Sequence, residues 1–376
     1  MKSDANSNLH WCFKNADGLR EQDLELVQEF FDREFPDVFG ETNFKEILRW
    51  KLGSKNPAGT GHLSIAVWED QVIGVASATK RIVSIDGEEI LAVEVGDTFT
   101  SEKFRKAGRC ETPFMLFPNI TNETNTNYFM TSVFGRLMYE TLFRSQETGA
   151  VLWYGFPNRM SNMAYKKRFL FHDLEGSSIF SAYWFGAKAK TPFDIFGLTQ
   201  KLLAKFILIA TKITFRFQIN EISSNEFINE VEGLNSFEDP SIIKSKEFLK
   251  YRYEAHPVDK YEFVRIASSK GLTRAVVIFK RSSDRNKILI CDYFSKKRTH
   301  FYYLITILEI FKRNHRNIRQ ITAWFPKAET KLVHIWVTGA VTRRNVKPIV
   351  RVVQKTQIDT QAASLRFRYL GDSDNG

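Results

Sequence analysis

Two β-rich runs, Leu63–Trp68 and Val72–Val83, are separated only by Glu69-Asp70-Gln71. A polar turn that short permits only an antiparallel return, because parallel neighbours need a long crossover. This pair therefore dictates an antiparallel start to a sheet, and Ile90–Thr98 gives a third strand close behind. Ahead of the hairpin, Trp11–Lys14 reads as a short strand. Arg20–Arg33 repeats Leu24, Val27, Phe30 and Phe31 at helical spacing, and Phe44–Leu52 reads as a second helix capped by Asn43 or Thr42. Behind the third strand come a basic, glycine-containing turn at Phe104–Cys110 and an Asn- and Thr-rich inserted loop from Glu111 to Asn127. Then follow a helix at Val133–Ser145, a short buried strand at Val151–Gly155, a short helix at Met160–Lys167 and a final strand at Ile179–Phe185.

The second half repeats this logic more loosely. Tyr261–Ala267 and Ala275–Phe279 read as paired strands around Lys270-Gly271, and Lys287–Tyr293 as a third strand carrying Asp292. A helix at Tyr302–Asn314, a strand at Ile321–Phe325, a short helix at Ala328–Ile335 and terminal strands at Pro348–Val353 and Leu365–Tyr369 complete it. Between the halves lie Thr191-Pro192, the apolar stretch Leu202–Ile213 with Lys201, Lys205 and Lys212, and a polar stretch near Ile222–Asp239. A membrane span needs about 20 apolar residues, so Leu202–Ile213 is too short for one. It reads as a buried or connecting helix, with a peripheral membrane helix as the other reading. The expected fold class is α/β with mixed sheets (α+β): a first domain over 1–188, a helical connector over 189–240 and a second domain over 241–376. A length of 376 residues suits that division.

With 54 basic and 43 acidic residues the chain carries +11, which favours anionic partners: nucleic acid, phosphorylated small molecules or a membrane surface. Its 33 Phe residues are ample core material. Cys12, Cys110 and Cys291 are too few and too scattered for a disulfide framework or a Cys-based zinc site, and they fit a reducing cytosol. The polar N-terminus has no apolar core before Leu9, so no signal peptide and a cytoplasmic location are expected. The seven His residues lack metal-ligand spacing, so no metal is expected. No P-loop or G-x-G-x-x-G occurs.

The order strand, two helices, three antiparallel strands, basic turn, helix, strand, helix, strand resembles the GNAT (Gcn5-related N-acyltransferase) fold. Three stretches carry the resemblance over residues 10–185. Val93-Glu94-Val95-Gly96-Asp97-Thr98-Phe99-Thr100 ends a central strand. Arg105-Lys106-Ala107-Gly108-Arg109-Cys110 resembles the family's Q/R-x-x-G-x-G/A loop. Tyr154-Gly155-Phe156-Pro157-Asn158, then Ser161-Asn162-Met163-Ala164-Tyr165 and Phe169-Leu170-Phe171, resembles its strand, Asn, helix, Tyr and "GF" ending. In the family the helix follows the glycine loop almost directly. Here a longer segment precedes Phe134-Gly135-Arg136-Leu137, so either Arg109 and Cys110 or residues near Ser132–Gly135 supply the last loop amides. The second half looks like a second GNAT-type unit, but Ser295-Lys296-Lys297-Arg298-Thr299-His300 has no glycine. That departure implies a unit that does not bind acyl-CoA. Leu370-Gly371-Asp372-Ser373-Asp374-Asn375 resembles the ending of tandem-GNAT proteins that N-acylate nucleotide-linked amino sugars.

The resemblance implies that Phe99, Thr100, Arg105, Lys106, Ala107, Gly108, Arg109 and Asn158 bind the coenzyme A thioester, and that Glu94, Asp97 and Tyr165 are catalytic. A diphosphate needs several donors pointing one way, which a turn at a helix N-terminus supplies together with a favourable dipole. Gly108 lets the main chain come close, and Lys106 and Arg109 add charge; the plain alternative is a solvated basic turn. Acylation of an amine needs a neutral nucleophile and a proton for the leaving thiolate. Glu94 and Asp97 lie three apart on one strand and face opposite ways unless a bulge intervenes. Either takes the amine proton, directly or through water, or both only bind substrate hydroxyls or the ammonium. Tyr165 is a competent hydroxyl donor to the thiolate or a core tyrosine, and Asn158 a cofactor ligand or a helix cap.

By resemblance, the expected activity moves an acetyl or 3-hydroxybutyryl group from CoA to the C3 or C4 amine of a dTDP-linked amino-dideoxyhexose. The setting would be O-antigen, capsule or lipopolysaccharide biosynthesis, by a monomer or homodimer without a membrane span. A GNAT enzyme acting on a protein lysine, an antibiotic or a cell-wall precursor is the alternative. A basic nucleic-acid module using Lys296–Arg298, Arg343, Arg344 and Lys347 has no RRM, helix-turn-helix or zinc signature behind it, and no nucleic-acid partner is expected.

Overall fold

The structure is a computed structural model. It describes residues 12–15, 20–36, 43–68, 70–104, 132–157, 159–173, 179–185, 216–232, 241–281, 287–295, 320–326, 341–344 and 349–352, plus a few isolated positions. In chain order the first elements are β1 (Cys12–Asn15), α1 (Glu21–Glu34), α2 (Phe44–Leu52), β2 (His62–Trp68), β3 (Gln71–Ile85), β4 (Glu88–Thr100), α3 (Val133–Glu147), β5 (Leu152–Gly155), α4 (Arg159–Phe169), β6 (His172–Asp173) and β7 (Ile179–Phe185). Then come β8 (Phe217–Ile222), α5 (Ser224–Glu232), β9 (Ser241–Ile242), α6 (Lys246–Leu249), β10 (Tyr261–Ser268), β11 (Thr273–Arg281), β12 (Lys287–Ser295), β13 (Gln320–Pro326), β14 (Val341–Arg344) and β15 (Ile349–Val352).

The chain forms two compact units. The first comprises Met1–Leu174, His256–Val258 and Pro348–Leu365. Its sheet runs β1-β2-β3-β4-β5-β15-β6. The β2–β3 hairpin forms as the short turn requires, with Asp70 left-handed at φ 60°. Asp86 and Gly87, both at positive φ, close β3 onto β4 through the two-residue turn that matches strand twist. Asn43 caps α2, its side chain accepting from the Glu46 N–H at 3.1 Å. Helices α1 and α2 cover one sheet face, where Leu24, Val27, Phe31, Phe44 and Leu48 meet Leu63, Ile65, Val72 and Val75. Helices α3 and α4 cover the other, packing Leu137, Met138 and Tyr165 on Ala76, Ala78, Val93 and Val95. Gly74 allows α3 its close approach, since a Cβ there would lie 2.9 Å from Leu137 and 3.0 Å from Val133.

The second unit comprises Glu175–Ala255, Asp259–Lys347 and Arg366–Gly376, with the sheet order β14-β7-β13-β12-β11-β10-β8. Read from β8, its connectivity matches the first sheet read from β1: an antiparallel run of four, a parallel step (β12 to β13, as β4 to β5), then two antiparallel strands.

The structure moves three expected boundaries. Ile179–Phe185 does not finish the first sheet; β7 pairs with β13 and β14 in the second. The strand expected near Pro348–Val353 does not finish the second sheet; β15 lies between β5 and β6 in the first. Part of the expected connector 189–240 is not connector, because β8 pairs with β10 along its full length and α5 buries Phe227, Ile228 and Val231. Within Leu202–Ile213 the described positions Leu202, Phe206 and Ile209 are helical and exposed rather than buried. The inserted loop, Ala328–Ile335, Leu365–Tyr369 and nearly all of Tyr302–Asn314 lie outside the described residues. Among the described residues, no helix is long and apolar enough to cross a membrane.

Candidate active site

The first sheet opens between β4 and β5. Their parallel register covers Ala92↔Leu152, Val93↔Trp153 and Glu94↔Tyr154 and then ends. β4 continues to Thr100, still paired to β3. Past Glu94 the paired register with β5 is not continued, while that with β3 is. At Gly155, the last residue of β5, the two strands still approach closely, since a Cβ there would stand 3.0 Å from the Val95 carbonyl oxygen.

A β-bulge sits on this open edge. Ser77 pairs with Gly96 and Val75 with Phe99, so Asp97 and Thr98 together oppose Ala76. Asp97 adopts φ 44°, a left-handed conformation costing a non-glycine residue about 1–2 kcal/mol. The extra residue resolves the facing of the two acids. Glu94 alternates with the core residues Val93 and Val95 and so points to the α1–α2 face, where its Oε2 lies 3.9 Å from Arg81 Nη2. Asp97 joins it on that face: its Oδ2 accepts from Lys51 Nζ and from Ser77 Oγ, each at 2.7 Å. Lys51, Ser77, Arg81, Glu94 and Asp97 are all buried.

Thr98 points the other way, into the α3–α4 side. Its Oγ1 is 3.3 Å from the Tyr165 hydroxyl, and the two oxygens reach Met138 Sδ at 3.4 and 3.5 Å. Burial, reinforced by the Asp97 charge and opposed by the Thr98 bond, pushes the Tyr165 hydroxyl up to about 12. It therefore holds its proton at neutral pH and is a donor. Tyr165 is held through α4, whose last carbonyl, on Phe169, accepts from Arg351 Nη1 at 2.6 Å. Arg351 comes from β15 and lies over the Trp153 ring at 5.3 Å.

The structure thus brings Asp97 and Tyr165 to one bulge from opposite faces, and places Glu94 where the strands part. The Phe99 ring packs in the core against Phe31 and Phe35, at 5.0 and 5.2 Å, leaving its backbone as what it can offer a ligand. Thr100 is buried and pairs with Gly74. Beside them α3 begins, with Ser132 Oγ accepting from the Gly135 N–H at 3.0 Å and no acid in the first turn, which suits an anion. Arg105, Lys106, Ala107, Gly108, Arg109 and Asn158 lie outside the described residues. Lys51, Thr98, Met138 and Arg351 were not anticipated. Lys51 left a signal: it falls on the Phe44, Leu48, Leu52 stripe of α2, where a lysine is out of place.

The second unit contains a parallel arrangement. The β12–β13 register ends at Ile290↔Ala323, and β12 shifts against β11 at Cys291. Fully buried Asp292 follows, accepting from Lys244 Nζ at 2.9 and 2.7 Å and from the Tyr253 hydroxyl at 2.7 Å. Burial raises the Cys291 thiol to about 12, which leaves it inert. Among the described residues, no group of three or more His, Cys, Asp or Glu could hold a metal ion.

No protein-family model and no curated protein sequence matches the chain. Solved structures do. A tandem GNAT protein from the clavulanic acid biosynthesis pathway matches with a TM-score of 0.57 at 10% identity, over 92% of this chain and 99% of that one. A probable N-acyltransferase from Enterococcus faecalis V583 gives 0.57 at 12%, over 92% and 72%. Saccharomyces cerevisiae N-myristoyltransferase with bound myristoyl-CoA gives 0.56 at 10%, over 93% and 80%. At these identities the likeness establishes the fold: a mixed α/β chain of two GNAT-type units in tandem.

Proposed function

We propose that the chain is a CoA-dependent N-acyltransferase whose first unit carries the reaction. The observation that carries this reading is the parting of β4 from β5 beside a buried, protonated Tyr165. An extended thioester arm laid along the open edge of β4 would find backbone donors and acceptors there. Its carbonyl would lie near the bulge and its sulfur within reach of the α4 side. Tyr165 gives the departing thiolate its proton, and a buried carboxylate on β4 handles the amine. The diphosphate would be held by Arg105–Arg109 and the start of α3, with Asn158 beside the arm.

The acceptor in this reading is a nucleotide-linked amino sugar, a dTDP-linked amino-dideoxyhexose acylated at C3 or C4. Its supports are the resemblance of Leu370–Asn375 and the +11 charge, which suits two polyanionic substrates. The donor is acetyl-CoA or 3-hydroxybutyryl-CoA. The likeness to a protein holding myristoyl-CoA gives a longer acyl chain as the second reading. The test is transfer from acetyl-, 3-hydroxybutyryl- and myristoyl-CoA to a panel of dTDP- and UDP-amino sugars and a peptide amine. Turnover with a dTDP-amino sugar and a short acyl chain is expected. Turnover with the peptide and myristoyl-CoA alone would replace the sugar reading. Failure of every acyl-CoA to raise the melting temperature would reject the acyltransferase reading itself.

A further inference from the structure

We infer that Asp97 is a positioning residue and not the acceptor of the amine proton: together with Lys51 it clamps the bulge that sets Thr98 against Tyr165. The inference rests on the acyltransferase reading and divides the labour within that site. Asp97 Oδ2 already accepts from the Lys51 ammonium and from Ser77, each at 2.7 Å, so a proton on that oxygen would displace one of them, and a proton on either oxygen would cancel the charge that holds Lys51. Asp97 itself has φ 44°, a conformation that persists only where surrounding contacts impose it. Lys51 and Ser77 are those contacts. The next residue, Thr98, makes the 3.3 Å approach to Tyr165.

The second unit supplies an independent observation. At the corresponding shift in β12, Asp292 is held by Lys244 and by Tyr253, although that unit has no glycine in its Ser295–His300 segment. The same pairing of a strand acid with a buried lysine thus recurs where acyl-CoA binding is not expected, which ties it to the shape of the strand rather than to proton transfer. Among the described residues, the charged and titratable groups on the elements packed around Asp97 include Lys51 from α2, Tyr165 from α4, and Arg81 and Glu94 on the same sheet face.

A buried ion pair gives a clean test. Removing one partner strands the other, whereas removing both charges while keeping shape is tolerated. Lys51→Met and Asp97→Asn should each lower kcat by roughly 10-fold or more. The double variant should recover most of that loss and keep the pH dependence of kcat/KM of the parent between pH 6 and 9. Lys51→Arg, which preserves the cation, should stay closer to the parent than Lys51→Met. If the single variants do not fold, the double variant alone decides. A folded double variant that binds acyl-CoA like the parent but is as inactive as Asp97→Asn, with the acidic limb of the profile gone, overturns the inference. A parent protein that binds no acyl-CoA would instead remove the acyltransferase reading, and this inference with it.

Discussion

Replacing Tyr165 by Phe deletes one oxygen and keeps the ring in its cluster with Phe134, Phe169 and Phe171. The lost contacts are long, 3.3 Å to Thr98 and 3.5 Å to Met138 Sδ, so the cost at neutral pH should stay within about 1 kcal/mol. Loss of a positioned proton donor should nonetheless lower kcat roughly 10²-fold or more. A third signature follows from the raised hydroxyl. Its folded value of about 12 stands above the ordinary 10.0, so the neutral form is favoured in the fold. The associated stability is intact below pH 10 and is lost as the pH climbs through the folded value. At about 1.4 kcal/mol per pH unit, the parent should lose about 1.4 kcal/mol between pH 8 and 11 that the Phe variant keeps. Tyr253 and Tyr261, also raised by burial, are common to both proteins and cancel in the difference. Denaturant unfolding of the pair at pH 8, 10 and 11, beside turnover at pH 7.5, measures all three. Parental kcat in the variant would refute the donor role. Parallel stability curves across pH 8–11 would refute the burial.

Three further outcomes are expected. Gly155→Val places a branched side chain against the Val95 carbonyl and should weaken acyl-CoA binding by roughly 10-fold or more in calorimetry; unchanged affinity would move the ligand away from the parting of β4 and β5. Arg351→Met removes a charged donor from the last carbonyl of α4 and should cost about 2–3 kcal/mol in denaturant unfolding, with a larger loss in kcat than in acyl-CoA affinity; a fall in affinity alone would contradict its link to Tyr165. Deleting everything from Pro348 onward strips β15 from between β5 and β6 and should abolish the cooperative unfolding of the first unit; a parental transition would reject that pairing.

Local elements of the fold were legible in the sequence because hydrophobic period and turn chemistry are local signals. The β2–β3 hairpin, the α1 stripe of Leu24, Val27, Phe30 and Phe31, and the Asn43 cap formed as their residues required. Sheet membership was not legible. A strand such as Ile179–Phe185 carries its own tendency to pair but no label for its partner, so chain proximity assigned it to the first sheet when it pairs in the second. Part of the site was readable in the same limited sense. The three-residue spacing of Glu94 and Asp97 posed the question of a bulge, but only the β3–β4 register shows one, at Asp97 and Thr98. Lys51 sits 46 positions from its partner, and its place on an apolar stripe marked it as unusual without naming Asp97.

The strand assignments also decide what can be cut. In each sheet the strand beside the short fifth strand runs antiparallel to it and arrives from a distant stretch of chain: β15 at β5, β7 at β13. Loop-closure entropy grows only with the logarithm of loop length, so reaching far along the chain costs little more than reaching nearby. The kinetic consequence is larger, because such pairings form only after long segments have been ordered and folding slows as contacts become less local. A cut at Thr191-Pro192, within the connector 189–240 that sequence alone suggests, therefore leaves the N-terminal piece without β15 and the C-terminal piece without β7. Each piece would expose a strand edge that its own sequence cannot cover, which is a template for aggregation. Neither piece alone should give a soluble, cooperatively folded unit, while the two expressed together should complement one another. A soluble N-terminal piece with a sharp thermal transition of its own would contradict the exchange of strands.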